Sequence, residues 1–338
     1  MKILLISPTI TGIGGISNHV KHLKKWLIRK DNEVYVISSE NTPIIRIKGL
    51  KNLSFMITAS FKTVGKKFDI VHAHNVPSAL PMRFSSGKKI LTLHGFYVRD
   101  IELIHNRIYS LFAKKMEKRF LGYADKITAV SKAVTEYYRK MGYDSIYIPN
   151  AVDLEDIPES SRREYDKQVV FAGRLSKEKG VDILIKAFSS INDAHLLIIG
   201  DGPERERLQI LSRNYPNIHF LGLLPNKLVL EYIKGSDIYV QPSRTEGLPT
   251  VILEAMACKT PVIATKIEGS VEIIDDGMSG ILVEPGDIEA LRENIRILLE
   301  DRKKAIRLAE NAYKNILEKY NWNVVSEQYI NLYRKVLE

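Results

Sequence analysis

The sequence predicts an α/β protein in which two doubly wound parallel sheets follow one another along the chain and face a cleft. Three observations support this fold class: the length, an alternation of strand and helix patterns, and a restart of that alternation after a polar segment. The chain has 338 residues, whereas single domains usually contain ~100–200. Short apolar strands that alternate with amphipathic helices are typical of parallel sheets covered on both faces.

The composition limits the class of protein further. Hydrophobic residues make up 45% of the chain and charged residues 27%, which is normal for a globular protein. The single cysteine, Cys258, excludes an intrachain disulfide and a multi-cysteine metal site, and fits a reducing compartment and a core position. The opening MKILLIS is followed at once by Pro8, so we expect an N-terminal strand rather than a signal peptide, and a cytoplasmic protein.

The first domain is predicted over residues 1–153. A strand at 2–7 precedes a glycine-rich loop and an amphipathic helix at 16–30, in which apolar residues recur at helical spacing. Five more strands are predicted in this half: EVYVIS (33–38), DIVHAH (69–74), KILTLHG (89–95), KITAVS (126–131) and SIYIPN (145–150).

The second domain is predicted over residues 168–320, after a polar, charged linker at 154–167. A last helix at 321–338 either closes the second domain or crosses back onto the first. Six strands are predicted in the second domain: QVVFAG (168–173), HLLIIG (195–200), NIHFLG (217–222), DIYVQP (237–242), PVIAT (261–265) and GILVEP (280–285).

The charge is unevenly distributed between the two halves. Residues 1–150 contain 25 Lys and Arg against 10 Asp and Glu, a net charge of +15, whereas residues 151–338 contain 25 against 30, a net charge of −5. A basic half indicates an anionic partner or a solvated basic surface. Since no zinc-finger spacing and no RNP-like aromatic strand occur, we expect no nucleic acid partner and keep an acidic membrane surface as the anionic candidate.

A GIGG loop at 12–15 lies between the first strand and the first helix. Glycines there let the backbone approach a phosphate, and the helix N-terminus favours an anion. The loop nearly matches the dinucleotide-binding pattern, with Ser17 at the third glycine position and Glu40 after the next strand. A dehydrogenase-like site and a turn without a ligand are therefore both alternatives.

Two cations follow the first strand of the second domain, in AGRLSKEKG. Arg174 and Lys179 lie five residues apart in a strand-to-helix loop, where a guanidinium fork and an ammonium can bind a diphosphate together. The alternative is a pair of solvated surface charges. The tight turn GDGP (200–203) ends the next strand and is expected at the rim of the same sheet.

The stretch SRTEGLPTVILEAMACKTPVIAT (243–265) contains two glutamates around a predicted helix N-terminus. Glu246 precedes the turn, Pro249 suits the first helical turn, and Glu254 lies about one and a half turns into the helix. Two carboxylates in this arrangement can accept hydrogen bonds from vicinal hydroxyls, while the N–H groups of Gly247 and Leu248 face an anion or a sugar hydroxyl.

Over essentially its whole length the chain resembles glycosyltransferase family 4, the retaining enzymes of GT-B fold. The most specific motif is the pair Glu246 and Glu254, separated by seven residues, although Lys259 stands where the family often has glycine. Seven motifs occur in the order typical of the family: GIGGISNHV, LTLHGFY, IPNAVD, AGRLSKEKG, GDGP, EGLPTVILEAMACKTPVIAT and DGMSGILVEPGD.

The resemblance implies an activity and a site. A hexose would pass from a nucleoside diphosphate, UDP favoured over GDP, to a lipid-linked or saccharide acceptor in cell-surface glycan or glycolipid synthesis. The anomeric configuration would be retained by front-face attack, with the leaving phosphate as base and with no metal or cofactor. The implied catalytic residues are His94, Arg174, Lys179 and Glu246. The implied donor-binding residues are Gly14, Gly15, Arg174, Lys179, Gly200, Gly202, Glu246, Gly247, Leu248, Pro249 and Glu254.

The resemblance gives each group a separate role. Glu254 would hold the ribose hydroxyls, Glu246 the hydroxyls of the donor sugar, and the two cations the diphosphate. Gly14 and Gly15 would approach the donor phosphate or the acceptor from the first domain. The acceptor site is expected on the cleft side of this domain, and the resemblance identifies no residue of it. His94 would lie beside the transferred sugar.

Three features of the first half remain outside this assignment. His72 and His74 share one face of a strand, but no third metal ligand is evident, so a structural role is expected. The segments 51–67 and 107–120 mix lysines with large apolar residues and predict either packed helices or peripheral docking on the inner face of a membrane.

Alternatives to sugar transfer as the function of the whole chain are a GT-B sugar-nucleotide epimerase and a non-catalytic partner subunit.

Overall fold

A computed structural model describes residues 1–10, 15–45, 47, 51–98 and 107–338, except for the side chains of 107–110 and 112. The chain forms two compact units. The first consists of Met1–Ala151 and Trp322–Glu338, and the second of Val152–Asn321.

The first unit contains a six-stranded parallel sheet in the order β2-β1-β3-β4-β5-β6. Its strands are β1 (Lys2–Ile6), β2 (Glu33–Ile37), β3 (Lys67–His74), β4 (Ser86–Leu93), β5 (Lys126–Ala129) and β6 (Ser145–Tyr147). The helices described between them are α1 (Gly15–Arg29), α2 (Lys51–Thr63), α3 (Ala79–Met82), α4 (Arg107–Leu121) and α5 (Lys132–Lys140), with a 3₁₀ turn at Val76–Ser78.

The second unit contains another six-stranded parallel sheet, in the order β12-β11-β10-β7-β8-β9. Its strands are β7 (Gln168–Ala172), β8 (His195–Ile199), β9 (Ile218–Gly222), β10 (Ile238–Gln241), β11 (Val262–Thr265) and β12 (Ile281–Val283). Its helices are α6 (Val181–Phe188), α7 (Arg205–Ser212), α8 (Asn226–Gly235), α9 (Thr250–Ala257), α10 (Glu268–Ile273), α11 (Ile288–Glu300) and α12 (Arg302–Lys319), with 3₁₀ turns at Leu154–Asp156 and Lys177–Lys179.

Both sheets are buried on both faces, which explains why their strands are apolar throughout rather than alternating. In β7, Val169 and Phe171 belong to one core cluster, and Val170 and Ala172 belong to the cluster on the opposite face. In β1 the residues divide in the same way between two clusters. Helices therefore cover each sheet on two sides, as in doubly wound folds.

The last helix, Trp322–Leu337, belongs to the first unit. Trp322, Val325 and Tyr329 are buried in the same cluster as Ile3 and Leu5 of β1. This helix therefore covers one face of the first sheet and does not close the second unit.

The segment 154–167, which the sequence predicted as a linker, lies within the second unit. Leu154, Ile157 and Tyr165 pack against one of its core clusters, and the backbone N–H of Arg162 donates to the carbonyl of Glu231 at 2.8 Å. These apolar residues follow neither helical nor strand spacing, because each packs from an irregular loop. Among the described residues, no helix combines the length and apolar character that crossing a bilayer requires.

In each sheet the strand order reverses once. The reversal lies between β1 and β3 in the first unit and between β7 and β10 in the second. Open α/β sheets bind ligands in the crevice outside the carboxyl ends of the strands at this switch point, because the two adjoining loops diverge there. In the second unit, these loops begin at Gly173 and Pro242.

Candidate functional site

The loop after β7 contains the two predicted cations at the switch point of the second unit. Arg174 is exposed, and its guanidinium forms no hydrogen bond to any residue in the part of the chain that the structure describes. Lys179 ends a 3₁₀ turn and is followed by Gly180, whose φ is +64°. A Cβ at Gly180 would lie 2.0 Å from the carbonyl oxygen of Pro242, so glycine allows this loop to pack directly against the loop after β10.

That close packing brings Lys179 to Glu246. The Lys179 Nζ donates to Glu246 Oε1 at 2.5 Å, and the two side chains are 23% and 13% exposed. The same oxygen accepts from Ser243 Oγ at 2.8 Å and from Gln241 Nε2 at 3.1 Å. Within the described residues Oε2 accepts no hydrogen bond, so one oxygen of this carboxylate is fixed and the other can accept from a ligand.

Gln241 and Ser243 were not predicted, although they orient Glu246. The Gln241 amide donates to Ser243 Oγ at 2.6 Å and its carbonyl accepts from the buried hydroxyl of Tyr239. The Thr265 hydroxyl donates to the carbonyl of Ser243. The only sequence signal for this network was that polar residues continue past the end of an apolar strand, in YVQPSRTEG.

Glu254 lies on α9 close enough to share the electrostatic environment of Glu246. The pKa of the Tyr239 hydroxyl is raised well above its usual value, first by burial and then by the charges of Glu246 and Glu254. Burial, followed by the negative charge of Asp156, raises the pKa of Glu254 to about 7. In the described structure the Glu254 carboxylate accepts no hydrogen bond, so both of its oxygens are available to hydroxyl groups of a ligand.

The turn between the two glutamates, residues 247–249, shapes the candidate site through its backbone rather than through its side chains. Helix α9 begins at Thr250, and Pro249 stands at its N-cap, one residue earlier than the first helical turn. Leu248 is buried in the core, so its side chain does not face a ligand. A Cβ at Gly269 would lie 2.3 Å from the carbonyl oxygen of Gly247, which keeps this turn close to α10.

The turn at 200–203 supports the loop that carries Arg174. Gly200 has φ +134°, and a Cβ there would lie 1.9 Å from the carbonyl oxygen of Gly173. The backbone N–H of Leu175 donates to the Asp201 carbonyl at 2.9 Å. A Cβ at Gly202 would likewise be 2.3 Å from the Leu175 carbonyl oxygen. These contacts give Gly200 and Gly202 a packing role whether or not they contact a ligand.

In the first unit, His94 follows β4 and is partly exposed. Its backbone N–H donates to Asn75 Oδ1 at 3.0 Å, and its Nε2 lies 3.2 Å from His74 Nδ1. Burial, and then the neighbouring His19 and His72, lower the pKa of His94 well below its usual value, so the ring is neutral at physiological pH. Gly15 is the first residue of α1, and Gly14 lies outside the described residues.

His72 and Cys258, which the sequence analysis also discussed, have structural rather than catalytic environments. His72 is fully buried and hydrogen-bonded at both ring nitrogens, to Tyr333 OH at 2.7 Å and to Thr92 Oγ1 at 2.6 Å. Cys258 is buried in the core of the second unit, and burial raises the pKa of its thiol to about 12. A thiol with that pKa is a poor nucleophile.

Comparison with known proteins identifies the class to which this fold and site belong. The family model described as "Glycosyl transferases group 1" matches residues 153–315, and that described as "Glycosyltransferase Family 4" matches residues 13–156. The uncharacterized glycosyltransferase MJ1178 of Methanocaldococcus jannaschii is 31% identical, over 100% of this chain and 98% of the relative. The phosphatidyl-myo-inositol mannosyltransferase of Mycobacterium leprae is 25% identical, over 99% of this chain and 97% of the relative.

A solved structure agrees with the architecture. Anabaena Alr3699/HepE, crystallised in complex with UDP and glucose, superposes with a TM-score of 0.76 at 20% identity, over 98% of this chain and 99% of that chain. The protein is a glycosyltransferase with the two-domain GT-B fold. More particularly, it belongs to glycosyltransferase family 4, and the family and fold predicted from the sequence are confirmed.

Proposed function

We propose that the protein is a retaining hexosyltransferase that moves a sugar from a nucleoside diphosphate to a lipid-linked or saccharide acceptor. The observation that carries this proposal is the grouping of Lys179, Glu246 and Glu254 at the switch point of the second sheet. It offers a cation for a leaving diphosphate and two carboxylates with unoccupied oxygens for hydroxyl groups. The exposed guanidinium of Arg174 supplies a second cation on the same loop.

The hydrogen bonds of Glu246 favour front-face transfer over a covalent intermediate. One oxygen of this carboxylate accepts three hydrogen bonds, one of them from an ammonium group. Such a carboxylate is charge-neutralised and is therefore a weak nucleophile, but it is well held to position a sugar hydroxyl through Oε2. Lys179, which Glu246 holds in place, and the exposed Arg174 stabilise the negative charge of the departing diphosphate in the transition state.

A uridine nucleotide is the proposed donor class. The Anabaena neighbour was crystallised with UDP and glucose, and its fold superposes on nearly the whole chain. Glu254 is proposed to hold the ribose, for which an ionised carboxylate with free oxygens is suited. The donor is proposed to bind without a metal ion, since the two cations of one loop, Arg174 and Lys179, can neutralise a diphosphate.

The acceptor is proposed to be reached at an anionic membrane surface, on the cytoplasmic side. One relative is a phosphatidyl-myo-inositol mannosyltransferase, whose name refers to a lipid acceptor. The first half of this chain has a net charge of +15. The outer face of α2 carries exposed apolar side chains at helical spacing, Leu53, Ile57 and Phe61, of which Phe61 is 77% exposed.

A groove of about 400 Å³ lies beside this apolar stripe, lined by Ile44, Ile45, Leu53 and Ile57 among other residues. Exposed lysines lie at the first residue of α2 and shortly after its end, and others occur on α4: Lys51, Lys66, Lys67, Lys114, Lys115 and Lys118. An apolar stripe with lysines near both ends of its helix suits a surface of anionic headgroups over acyl chains. A water-exposed helix face would be expected to carry polar residues instead.

Vesicle flotation tests the docking surface. Wild-type protein should float with phosphatidylglycerol-rich vesicles at low salt and bind phosphatidylcholine vesicles weakly. The Phe61→Ser variant should lose most of this binding, whereas Ile306→Ser, which removes an exposed apolar residue of the second unit, should retain it. Absence of wild-type binding to the anionic vesicles would contradict membrane docking but not sugar transfer.

Thermal-shift titration with UDP, GDP, ADP, CMP and NAD, with and without Mg²⁺, tests the donor site. A ligand of the native state at a hundredfold excess over Kd adds about 2.7 kcal/mol of stability. We expect a metal-independent shift with UDP, abolished in Glu254→Gln. If no nucleoside diphosphate stabilises the protein, the donor-site proposal is wrong and a non-catalytic role is favoured. Release of nucleotide from a UDP-sugar without any acceptor would favour the epimerase alternative.

A further inference from the structure

Arg244 joins the two loops that diverge at the switch point of the second sheet. It lies on the loop after β10, and its guanidinium donates to both oxygens of Asp182, Nη1 to Oδ1 and Nη2 to Oδ2, each at 2.9 Å. Nη1 also donates to the carbonyl of Lys177 at 2.7 Å, and the backbone N–H of Arg244 donates to the carbonyl of Glu178 at 2.7 Å. We call these four hydrogen bonds the Arg244 clamp.

The Arg244 clamp holds the backbone on both sides of Lys179. Its two carbonyl acceptors belong to the 3₁₀ turn that Lys179 ends, and Asp182 lies in the first turn of α6 just beyond. On the other loop, Arg244 lies two residues before Glu246. A lysine side chain is flexible, so the position of the Lys179 ammonium relative to Glu246 depends on how firmly the two loops are joined.

The chemistry of the clamp gives it a defined geometry. A guanidinium that donates two parallel hydrogen bonds to one carboxylate fixes the orientation of both groups, which an ammonium cannot do. The side chain of Asp182 is only 14% exposed. Burial favours its neutral form, but the hydrogen bonds and charge of Arg244, with a contribution from Arg207, outweigh burial and hold the pKa of Asp182 below its usual value.

A second arginine clamp occurs at the opposite edge of the same sheet. Arg163 Nη2 donates to Asp237 Oδ2 at 2.7 Å and to the carbonyl of Asp166, and its Nη1 donates to the carbonyl of Gly235 at 3.1 Å. Arg163 is 42% exposed, which is close to the 43% of Arg244. This clamp joins the segments that precede β7 and β10, at the amino ends of the strands, where no candidate donor-site residue lies.

We propose that Arg244 is a positioning residue of the donor site, which holds Lys179 beside Glu246 so that its ammonium meets the diphosphate of a nucleotide. This inference rests on the proposed function. The guanidinium of Arg244 is already paired with Asp182, so Arg244 acts on the ligand through Lys179. Arg174 differs, because its guanidinium forms no hydrogen bond to any described residue and can contact the diphosphate itself.

Calorimetric titration of the full-length protein with two ligands tests this role. UDP and its methyl ester on the terminal phosphate share both phosphate groups, but the ester lacks one negative charge. The ratio of the two Kd values therefore measures how strongly the site stabilises the charge that a diphosphate acquires on leaving. We expect the wild type to bind UDP at least tenfold more tightly than the ester.

Four variants separate positioning from charge and from stability. Arg244→Met should reduce the preference for UDP at least threefold, and Arg244→Lys should reduce it similarly, because lysine keeps the charge but cannot form the bidentate pair with Asp182. In a Lys179→Met background, Arg244→Met should cause no further reduction, since its effect passes through Lys179. Arg163→Met, the matched control, should keep the wild-type preference.

Three results would overturn the role of Arg244 and leave the proposed function intact: an unchanged preference in Arg244→Met, full recovery in Arg244→Lys, or an undiminished further loss in the Lys179→Met background. Loss of the preference in Arg163→Met would overturn it as well. A wild type that binds no UDP would instead refute the donor site and this inference with it. Urea unfolding shows which variants fold, and if Arg244→Met does not, Arg244→Lys decides the question.

Discussion

Replacing Glu254 by Gln should stabilise the ligand-free protein and weaken nucleotide binding at the same time. Burial and the charge of Asp156 raise the pKa of Glu254 from 4.5 to about 7. Since the pKa is higher in the folded state, this group favours folding below pH 4.5, and its contribution is lost as the pH rises through 7. At pH 8 the ionised side chain destabilises the fold by up to about 3 kcal/mol.

The solvent that still reaches this side chain reduces that figure, so we expect Glu254→Gln to raise the free energy of unfolding at pH 8 by about 2 kcal/mol. At pH 5 the wild-type side chain is already protonated, and the gain should nearly disappear. A glutamine has the same shape but cannot become a carboxylate, so the difference isolates the charge.

The same pKa predicts how nucleotide affinity depends on pH. If only the carboxylate holds the ribose hydroxyls, the binding-competent fraction is about 0.9 at pH 8 and about 0.1 at pH 6, for a pKa of about 7. The Kd for UDP should therefore rise about tenfold between these pH values. In Glu254→Gln, the Kd should be high and independent of pH over this range.

Urea unfolding at pH 5 and pH 8 and calorimetric titration with UDP at pH 6 and pH 8 measure the two effects. Glu318→Gln serves as the control, because it removes an exposed glutamate from α12. The reasoning is refuted if Glu254→Gln destabilises the protein at pH 8, or if the pH dependence of the UDP affinity persists in this variant.

Three further predictions follow from the loops. Lys179→Met should lower kcat at least a hundredfold in a transfer assay with little change in KM, whereas unchanged kinetics would exclude Lys179 from transition-state stabilisation. Lys259→Gly should leave the free energy of unfolding almost unchanged in the wild type, because relief of the left-handed φ of +56° is offset by loss of the surface ion pair with Glu310. In a Glu310→Gln background, which already lacks this ion pair, the same substitution should raise the free energy of unfolding in urea by about 1 kcal/mol. Gly200→Ala should lower the free energy of unfolding by more than about 2 kcal/mol in the same assay, because its Cβ would clash with the backbone. Gly277→Ala is the control, since this residue has φ +71° but open space around it, and should lower the free energy of unfolding by about 1 kcal/mol. Equal losses in the two variants would exclude the clash.

The two sheets could be predicted from the sequence because a strand buried on both faces is a short apolar run bounded by polar residues. The predicted strand at 195–200 corresponds to β8, and that at 261–265 to β11. The packing of segment 154–167 against the second unit could not be predicted in the same way. Its apolar residues contact the core from an irregular loop, and no period in the sequence marks such contacts.

The donor-site residues could be predicted as types but not as contacts. The sequence placed Lys179 in one loop and Glu246 in another, 67 positions later. It could not show that they form an ion pair, because this depends on the strand order, in which β10 lies beside β7. The hydrogen bond from the Gln241 amide to Glu246 was missed for the same reason. Its supporting role is recognisable only once Glu246 is known to pair with Lys179.

His72 and His74 illustrate the same limit in the first sheet. They share one face of β3, and the sequence treats them as equivalent, yet one is satisfied inside the core and the other meets His19 and His94 at the carboxyl edge. A shift of two residues along a strand, about 6.6 Å, separates the interior of a sheet from its ligand-binding edge. Polar residues at strand ends are visible in a sequence. Which of them become neighbours is decided by strand order and by the helix that crosses above, and therefore the contacts of His74 with His19 and His94 appeared only in the structure.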